Sequence, residues 1–213
     1  DLDNVTGVDL QGGNTGNYTA SGSISLTEDY TPTDTDGDLV TDGDFAQGSG
    51  KTGILISGAS PFVGNVTLDN SASIVIEGND SYGIRIENAA GLTGNLDIQG
   101  VMNLLGNNTR AISLEGDLTG NLTHTGSITL RGENASAIVS SGTVTGQINN
   151  SGRITNTGYR FSDRPAVAGR ALLNDDDRLQ AGSAIQVNGD VSNGLFLERV
   201  VTTTTADDGT TTS

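Results

Sequence analysis

The stretch AISLEGDLTGNLTHTGSITLR at residues 111–131 returns 26 residues later as AIVSSGTVTGQINNSGRITNT at residues 137–157. Both copies have isoleucine at the second and eighteenth positions and glycine at the sixth, tenth and sixteenth positions. Self-similarity at a fixed period is the sequence signature of a repeat architecture. The chain is therefore expected to be built from repeated units, and the period can be followed outward from these two copies.

Two short motifs alternate along the chain. The first reads Gly/Ala-Ile-x-Ile/Leu, and its leading apolar residue occurs at Val8, Ile54, Ile84, Ile112, Ile138 and Ile185. The second reads roughly Ser-Gly-x-Ile-x-Leu, and its counterpart occurs at Ile24, Ile74, Met102, Ile128, Ile154 and Val201. The step from first to second motif is 16 to 20 residues, and the step back is 10 residues except for two steps of 30 and 31.

A third short strand lies within the longer step and usually follows Gly-Asn or Gly-Gln, as in Gly94-Asn95-Leu96-Asp97-Ile98. Three short strands in each unit of about 26–30 residues, separated by Gly, Asn, Asp and Ser corners, predict an all-β, right-handed parallel β-helix. Stacked coils would align the same apolar positions, and the expected inward set is Ile54, Ile56, Ile74, Ile76, Ile84, Ile86, Ile112, Leu114, Ile128 and Leu130. Asn150 and Asn156 occupy inward positions in the fifth coil, which indicates either an internal asparagine ladder or a wetter stretch.

The two long steps define two insertions, at about residues 27–51 and 155–183. Because both fall between the second motif and the next first motif, they are expected to leave the solenoid at the same corner. Residues 202–213 then begin where a third insertion would start, so residues 1–213 are interpreted as one β-helix fragment of a longer chain. The first insertion is rich in Asp, whereas the second carries four arginines, and the two could pair with each other or with a neighbouring molecule: Arg160, Arg164, Arg170 and Arg178.

The charge balance limits the partners that this chain can have. It has 10 basic residues against 26 acidic residues, for a formal net charge of −16. Nucleic acids and anionic membrane surfaces are bound through basic patches, so neither is expected as a direct partner. The chain contains no cysteine and no apolar run long enough for a membrane-spanning helix, so no disulfide and no direct bilayer insertion are expected.

The sharpest motif is the acidic run DTDGDLVTDGD at residues 34–44. Its alternating aspartates resemble the calcium loops of EF-hand and thrombospondin type 3 repeats, and Ca²⁺ prefers six to eight oxygen ligands. Leu39 stands where such a loop has glycine, and Phe45 stands where it has a bidentate glutamate. The alternative is a solvated acidic loop. The tentative calcium ligands are Asp34, Asp36, Asp38 and Asp42.

No catalytic residues are predicted. Parallel β-helices also include polysaccharide-acting enzymes, but those need clustered carboxylates on one face. The run Asp175–Asp177 lies in an expected loop rather than on adjacent coils. The single histidine, His124, occupies an inward position where other coils have Leu68 or Ile98, so a structural role is expected.

Three stretches are similar to autotransporter passengers: residues 126–134, residues 151–158 and residues 182–194, the last being particularly similar to alphaproteobacterial passengers. The resemblance implies export to the cell surface of a Gram-negative bacterium, with an outer-membrane anchor in a part not present in this sequence. It also leaves three functions open: a structural stalk, lattice or filament element that associates with itself or with neighbouring surface molecules; an adhesin whose loops bind a host surface or glycan; and, third, a polysaccharide-acting enzyme. Fold alone does not decide among them.

Overall fold

The computed structural model describes residues 3–38, 40–159, 166–198, 204–205 and 211–212, and these residues are almost entirely parallel β-structure. The predicted parallel β-solenoid is confirmed. The strands are β1 (Thr6–Gln11), β2 (Tyr18–Ala20), β3 (Ser23–Leu26), β4 (Thr52–Ser57), β5 (Pro61–Val63), β6 (Val66–Leu68), β7 (Ser73–Glu77), β8 (Tyr82–Ile86), β9 (Gly91–Thr93), β10 (Leu96–Ile98), β11 (Val101–Leu105), β12 (Arg110–Leu114), β13 (Asp117–Thr119), β14 (Leu122–His124), β15 (Ser127–Arg131), β16 (Ser136–Ser140), β17 (Ile148–Asn150), β18 (Arg153–Thr157), β19 (Ile185–Val187), β20 (Leu195–Leu197), β21 (Thr204–Thr205) and β22 (Thr211–Thr212).

Three long sheets run along the solenoid, each built from one strand of every successive coil. The first sheet has the order β1-β4-β8-β12-β16-β19, the second has β2-β6-β10-β14-β17-β20, and the third has β3-β7-β11-β15-β18. Coil one therefore comprises β1–β3, coil two β4–β7, coil three β8–β11, coil four β12–β15, coil five β16–β18 and coil six β19–β20. Each strand hydrogen-bonds to the equivalent strand of the coils before and after it.

The register of the sheets is the one that the motif spacing predicts. Val8 pairs with Ile54, and Ile54 pairs with Ile84 in the first sheet. Met102 pairs with Ile74 and Ile128 in the third sheet. All ten residues of the predicted inward set are fully buried. Stacking aligns like side chains about 4.8 Å apart along the axis, so each apolar residue packs on its equivalents in the neighbouring coils.

A fourth, shorter strand completes coils two, three and four. β5, β9 and β13 form a three-stranded sheet between the first and second sheets. Each buries one apolar side chain, Phe62, Leu92 or Leu118, toward the interior. A single inward residue gives no alternation to detect, which is why the motif count included only three strands per coil.

Asparagine side chains link the coils at the corner between the short sheet and the second sheet. The backbone N–H of Asn65 donates to Oδ1 of Asn17, that of Asn95 to Oδ1 of Asn65, and that of Asn121 to Oδ1 of Asn95, at 2.9 to 3.0 Å. The N–H of Gln147 continues the series to Oδ1 of Asn121 at 3.0 Å. Each amide thus satisfies a backbone donor of the next coil that the β-ladder leaves free at the turn.

Replacing Asn95 with alanine is expected to lower the free energy of unfolding by about 1 kcal/mol, because the N–H of Asn121 loses its acceptor. Urea unfolding followed by far-UV circular dichroism measures the change. Asn95→Asp keeps an oxygen in the same place and is the matched control, with a smaller expected loss. Equal losses in the two variants would show that the side-chain acceptor is not what stabilises the corner.

The described helical structure is confined to the second insertion. It consists of the single-turn helix α1 (Val167–Arg170) and a 3₁₀ turn at Asp176–Arg178. None of the helices in the described ranges has the length and apolar character needed to cross a membrane.

The first insertion connects the end of β3 at Leu26 to the start of β4 at Thr52. The second connects the end of β18 at Thr157 to the start of β19 at Ile185, so β18 includes residues 155–157, which the sequence interpretation had assigned to the insertion. Both insertions therefore join the third sheet to the first sheet. The expected third insertion at 202–213 lies outside the described residues except for the antiparallel pair of β21 with β22.

Candidate functional site

The two insertions leave one corner of the solenoid, and each returns to stack on it. In the first insertion, Ser49 forms a parallel bridge with Asn79, and Nδ2 of Asn79 donates to the carbonyl of Ala46 at 2.7 Å. In the second, the N–H of Gly182 donates to the carbonyl of Ala135 at 2.8 Å. The corner therefore has rigid loop bases, from which the two loops project.

A buried ion pair closes the base of the first insertion. Nζ of Lys51 lies 2.8 Å from Oε1 of Glu28, and their side chains are only 2% and 1% exposed. Lys51 also donates to the carbonyl of Glu77 at 2.6 Å, and Glu28 accepts the N–H groups of Gln47 and Gly48 at 2.8 Å. Burial raises the pKa of Glu28, but the hydrogen bonds from Lys51, Gln47 and Gly48 outweigh that effect and lower the pKa overall.

The acidic loop brings together three of its four predicted calcium ligands. One carboxylate oxygen from each of Asp34, Asp36 and Asp42 lies within 4.8 Å of the others. Asp38 is not part of this group, and its Oδ1 accepts the N–H of Val40 at 2.8 Å. Among the residues that the structure describes, no other set of three or more acidic or histidine side chains is placed closely enough to hold a metal ion.

Backbone hydrogen bonds hold the acidic side chains in place. Oδ1 of Asp34 accepts the N–H of Gly37 at 2.7 Å, and Oδ1 of Asp36 accepts the N–H of Asp38 at 3.1 Å. Oδ2 of Asp42 accepts both the N–H and the hydroxyl of Thr35. The group offers hard oxygen ligands of the kind that Ca²⁺ prefers, but three carboxylates are fewer than the six to eight oxygens that this ion takes.

The two insertions touch each other at the acidic group. Nδ2 of Asn174, in the second insertion, donates to Oδ2 of Asp36 at 2.6 Å. Asp177 is buried beside it and accepts the N–H of Asn174 at 3.1 Å. The sequence suggested that arginines of the second insertion would face the aspartates, but it is an asparagine that makes this contact.

The four arginines of the second insertion have different outcomes. Arg160 and Arg164 lie outside the described residues. Arg178 donates from Nη2 to the carbonyl of Leu173 at 2.5 Å, within its own loop. Arg170 ends helix α1.

The outer face of the first sheet carries a charged cluster that the motif analysis did not single out. Nε and Nη2 of Arg85 donate to the two carboxylate oxygens of Glu115 at 3.1 and 2.8 Å. The guanidinium of Arg85 lies 4.6 Å from the ring centre of Tyr82. The hydrogen bonds to Glu115 raise the pKa of Arg85 above its ordinary value. Period-two alternation places Arg85 outward, so only its partner on the next coil was missing from the sequence reading.

His124 lies inside the solenoid, as its position in the repeat indicates. It is fully buried, and Nδ1 donates to Oδ1 of Asn150 at 2.5 Å. The amide of Asn156 instead donates to the backbone carbonyls of Ala135 and Gly182. The inward asparagines of coil five therefore bond to histidine and backbone rather than to each other.

Comparisons of the chain with protein-family models, with curated proteins and with solved structures find no match.

Proposed function

We propose that this chain is a non-enzymatic structural element: a rigid, acidic β-helical stalk, or a lattice or filament element, exposed outside the outer membrane of a Gram-negative bacterium. The observation that carries the proposal is the uninterrupted in-register stack, in which six-stranded sheets share one apolar interior. Such a body transmits force and holds its shape because every coil is hydrogen-bonded to its neighbours along the axis. The resemblance to autotransporter passengers supports the surface location.

The loops at the common corner are the parts that would make lateral contacts. They project from the third-to-first-sheet corner, and they meet through Asn174 and Asp36. Loops that are held at their bases and joined at their tips present a defined surface to a neighbouring molecule. We therefore assign self-association, or association with neighbouring surface molecules, to this corner.

The assembly state of the 213-residue chain, by light scattering and electron microscopy with calcium and with a chelator, tests the proposal. Ordered sheets or filaments are the expected result. Dispersed monomers in both conditions would contradict the scaffold function. Assembly that is indifferent to chelator would support the scaffold and remove calcium from it.

Calcium binding at the acidic loop is the second part of this proposal. The double variant Asp34→Asn/Asp36→Asn is expected to weaken calcium binding at least about tenfold by titration calorimetry, because it removes two of the three grouped carboxylates. The double variant Asp29→Asn/Asp44→Asn changes the net charge equally outside the group and is the matched control. Equal weakening in both would point to nonspecific attraction of cations by an acidic chain.

An adhesin is the alternative function, and one observation favours it. The second insertion exposes the apolar side chains of Val167 and Leu172 to 77% and 54%. Exposed apolar groups on a projecting loop suit contact with a host surface or a glycan ring. Binding of dispersed chains to a glycan or host-cell surface, lost when both residues are changed to serine, would favour the adhesin over the scaffold.

A further inference from the structure

His124 marks a change in the character of the solenoid interior. Its neighbour in the preceding coil is Ile98, which is fully buried. Its neighbour in the following coil is Asn150, which is half-buried and accepts its Nδ1–H. The histidine therefore joins an apolar stack on one side to a polar coil on the other.

The coils on the two sides of His124 are packed very differently. In coils two to four, the inward residues of the three main sheets are buried almost completely. In coil five, Ile154 and Asn156 are only half-buried, and in coil six Leu195 and Leu197 are 41% and 68% exposed. Less apolar area is removed from water in strands β17–β20, so their local free energy of opening is expected to be lower.

The ring of His124 is enclosed and has one unsatisfied nitrogen. A Cβ atom added to Gly152 would lie 2.6 Å from Cε1 of His124, so the backbone packs directly on the ring. With Nδ1–H donated to Asn150, the lone pair is on Nε2, which is buried and has no hydrogen-bond partner among the described residues. A proton added at Nε2 would create a buried charge with no acceptor for the new N–H.

No ionisable side chain occupies an inward position around His124 in the described strands. The other buried ionisable groups, Lys51 and Asp177, belong to the two insertions. The charged side chains on the strands packed around it take outward positions in the alternation: Asp97 on β10, Arg131 on β15, Arg153 on β18 and, after β20, Glu198. An imidazolium at this place would thus have no carboxylate to pair with inside the solenoid.

We propose that His124 makes the boundary between coils four and five acid-sensitive, so that protonation at Nε2 opens strands β17–β20 while coils one to four remain folded. Opening lets water reach the imidazolium and solvate it. The chain would then have a stable apolar half and a C-terminal half that loosens in mildly acidic surroundings.

The direction of the pH dependence follows from the burial of the imidazole. Burial lowers the pKa of His124 below its ordinary value of 6.5, and the hydrogen bond to Asn150 only partly offsets this. The opened segment therefore binds more protons than the closed one, and the closed form loses stability as the pH falls through 6.5 toward the lowered pKa. Asp97 acts in the opposite sense, because burial raises its pKa and its protonation favours the folded state.

Hydrogen exchange of the full chain at pH 7.5 and 5.0, followed by mass spectrometry and corrected for intrinsic rates, tests this proposal. We expect opening of β17–β20 to increase about tenfold at the lower pH, with little change in β4–β12. In His124→Leu, which restores the apolar column of Leu68 and Ile98, the increase should fall below about twofold. His124→Asn is the second variant, in case leucine leaves Asn150 without a partner and the coil fails to form.

The matched control is Asp97→Asn, which removes the nearest titratable carboxylate on the same sheet and should leave the acid-dependent opening in place. Three results would overturn the proposal. These are no acceleration in the unaltered chain, equal acceleration throughout all coils, or acceleration that persists in the His124 variants.

Discussion

Gly94→Ala is expected to lower the free energy of unfolding by about 4 kcal/mol, or to prevent the solenoid from forming. Gly94 has φ +147°, a backbone conformation that residues with a side chain rarely adopt. A Cβ atom there would lie 2.2 Å from the carbonyl oxygen of Gly64 in the preceding coil. Because the obstacle is backbone held in a ladder, the clash can be relieved only by separating two coils. Urea unfolding followed by circular dichroism measures the loss.

Two other glycines separate the causes of this loss. Gly13 has φ +82° but nothing within 4 Å of an added Cβ atom, and Gly22 has neither a positive φ nor a neighbour. Gly13→Ala should therefore cost about 1 kcal/mol, and Gly22→Ala should be close to neutral. A loss in Gly94→Ala no larger than that in Gly13→Ala would show that the coils can move apart at this corner without cost.

The repeat made most of the fold predictable. Each coil presents the same apolar positions, so counting from Ile112 to Ile138 gave the register of the first sheet before any coordinate was known. The same count placed both insertions in the step between the third and first sheets, because a step of 30 residues where others have 10 leaves no other position for the extra chain. Periodicity is informative here because every ladder partner is the equivalent residue of the next coil.

Contacts that do not repeat could not be predicted from the sequence. Asn174 and Asp36 are 138 residues apart, and both lie in loops that occur once in the chain, so no period relates them. Glu28 and Lys51 flank the first insertion, yet nothing in their spacing indicates a buried pair. Asp34, Asp36 and Asp42 were identified by their local alternation, but whether Asp38 joined them depended on how the loop turns.

The buried pair at the base of the first insertion leads to the second large effect. Lys51→Ala is expected to lower the free energy of unfolding by about 3–5 kcal/mol, because it leaves the Glu28 carboxylate buried without its counter-charge. The residues that cap this base, Gln47 and Gly48, should lose hydrogen-exchange protection first, since their N–H groups donate to Glu28. Urea unfolding at neutral pH gives the global value, and hydrogen exchange gives the local one.

The double variant Glu28→Gln/Lys51→Met is the matched control for this pair. It removes both charges while keeping side chains of similar size, so it should recover a large part of the loss. The pH dependence gives an independent check, because the pKa of Glu28 is lowered in the folded chain. Its contribution is present above the ordinary pKa of 4.5 and is lost as the pH falls through the lowered folded value. If the double variant were as unstable as Lys51→Ala and lost stability over the same acid range as the unaltered chain, packing of the lysine stem, rather than the ion pair, would hold the insertion to the solenoid.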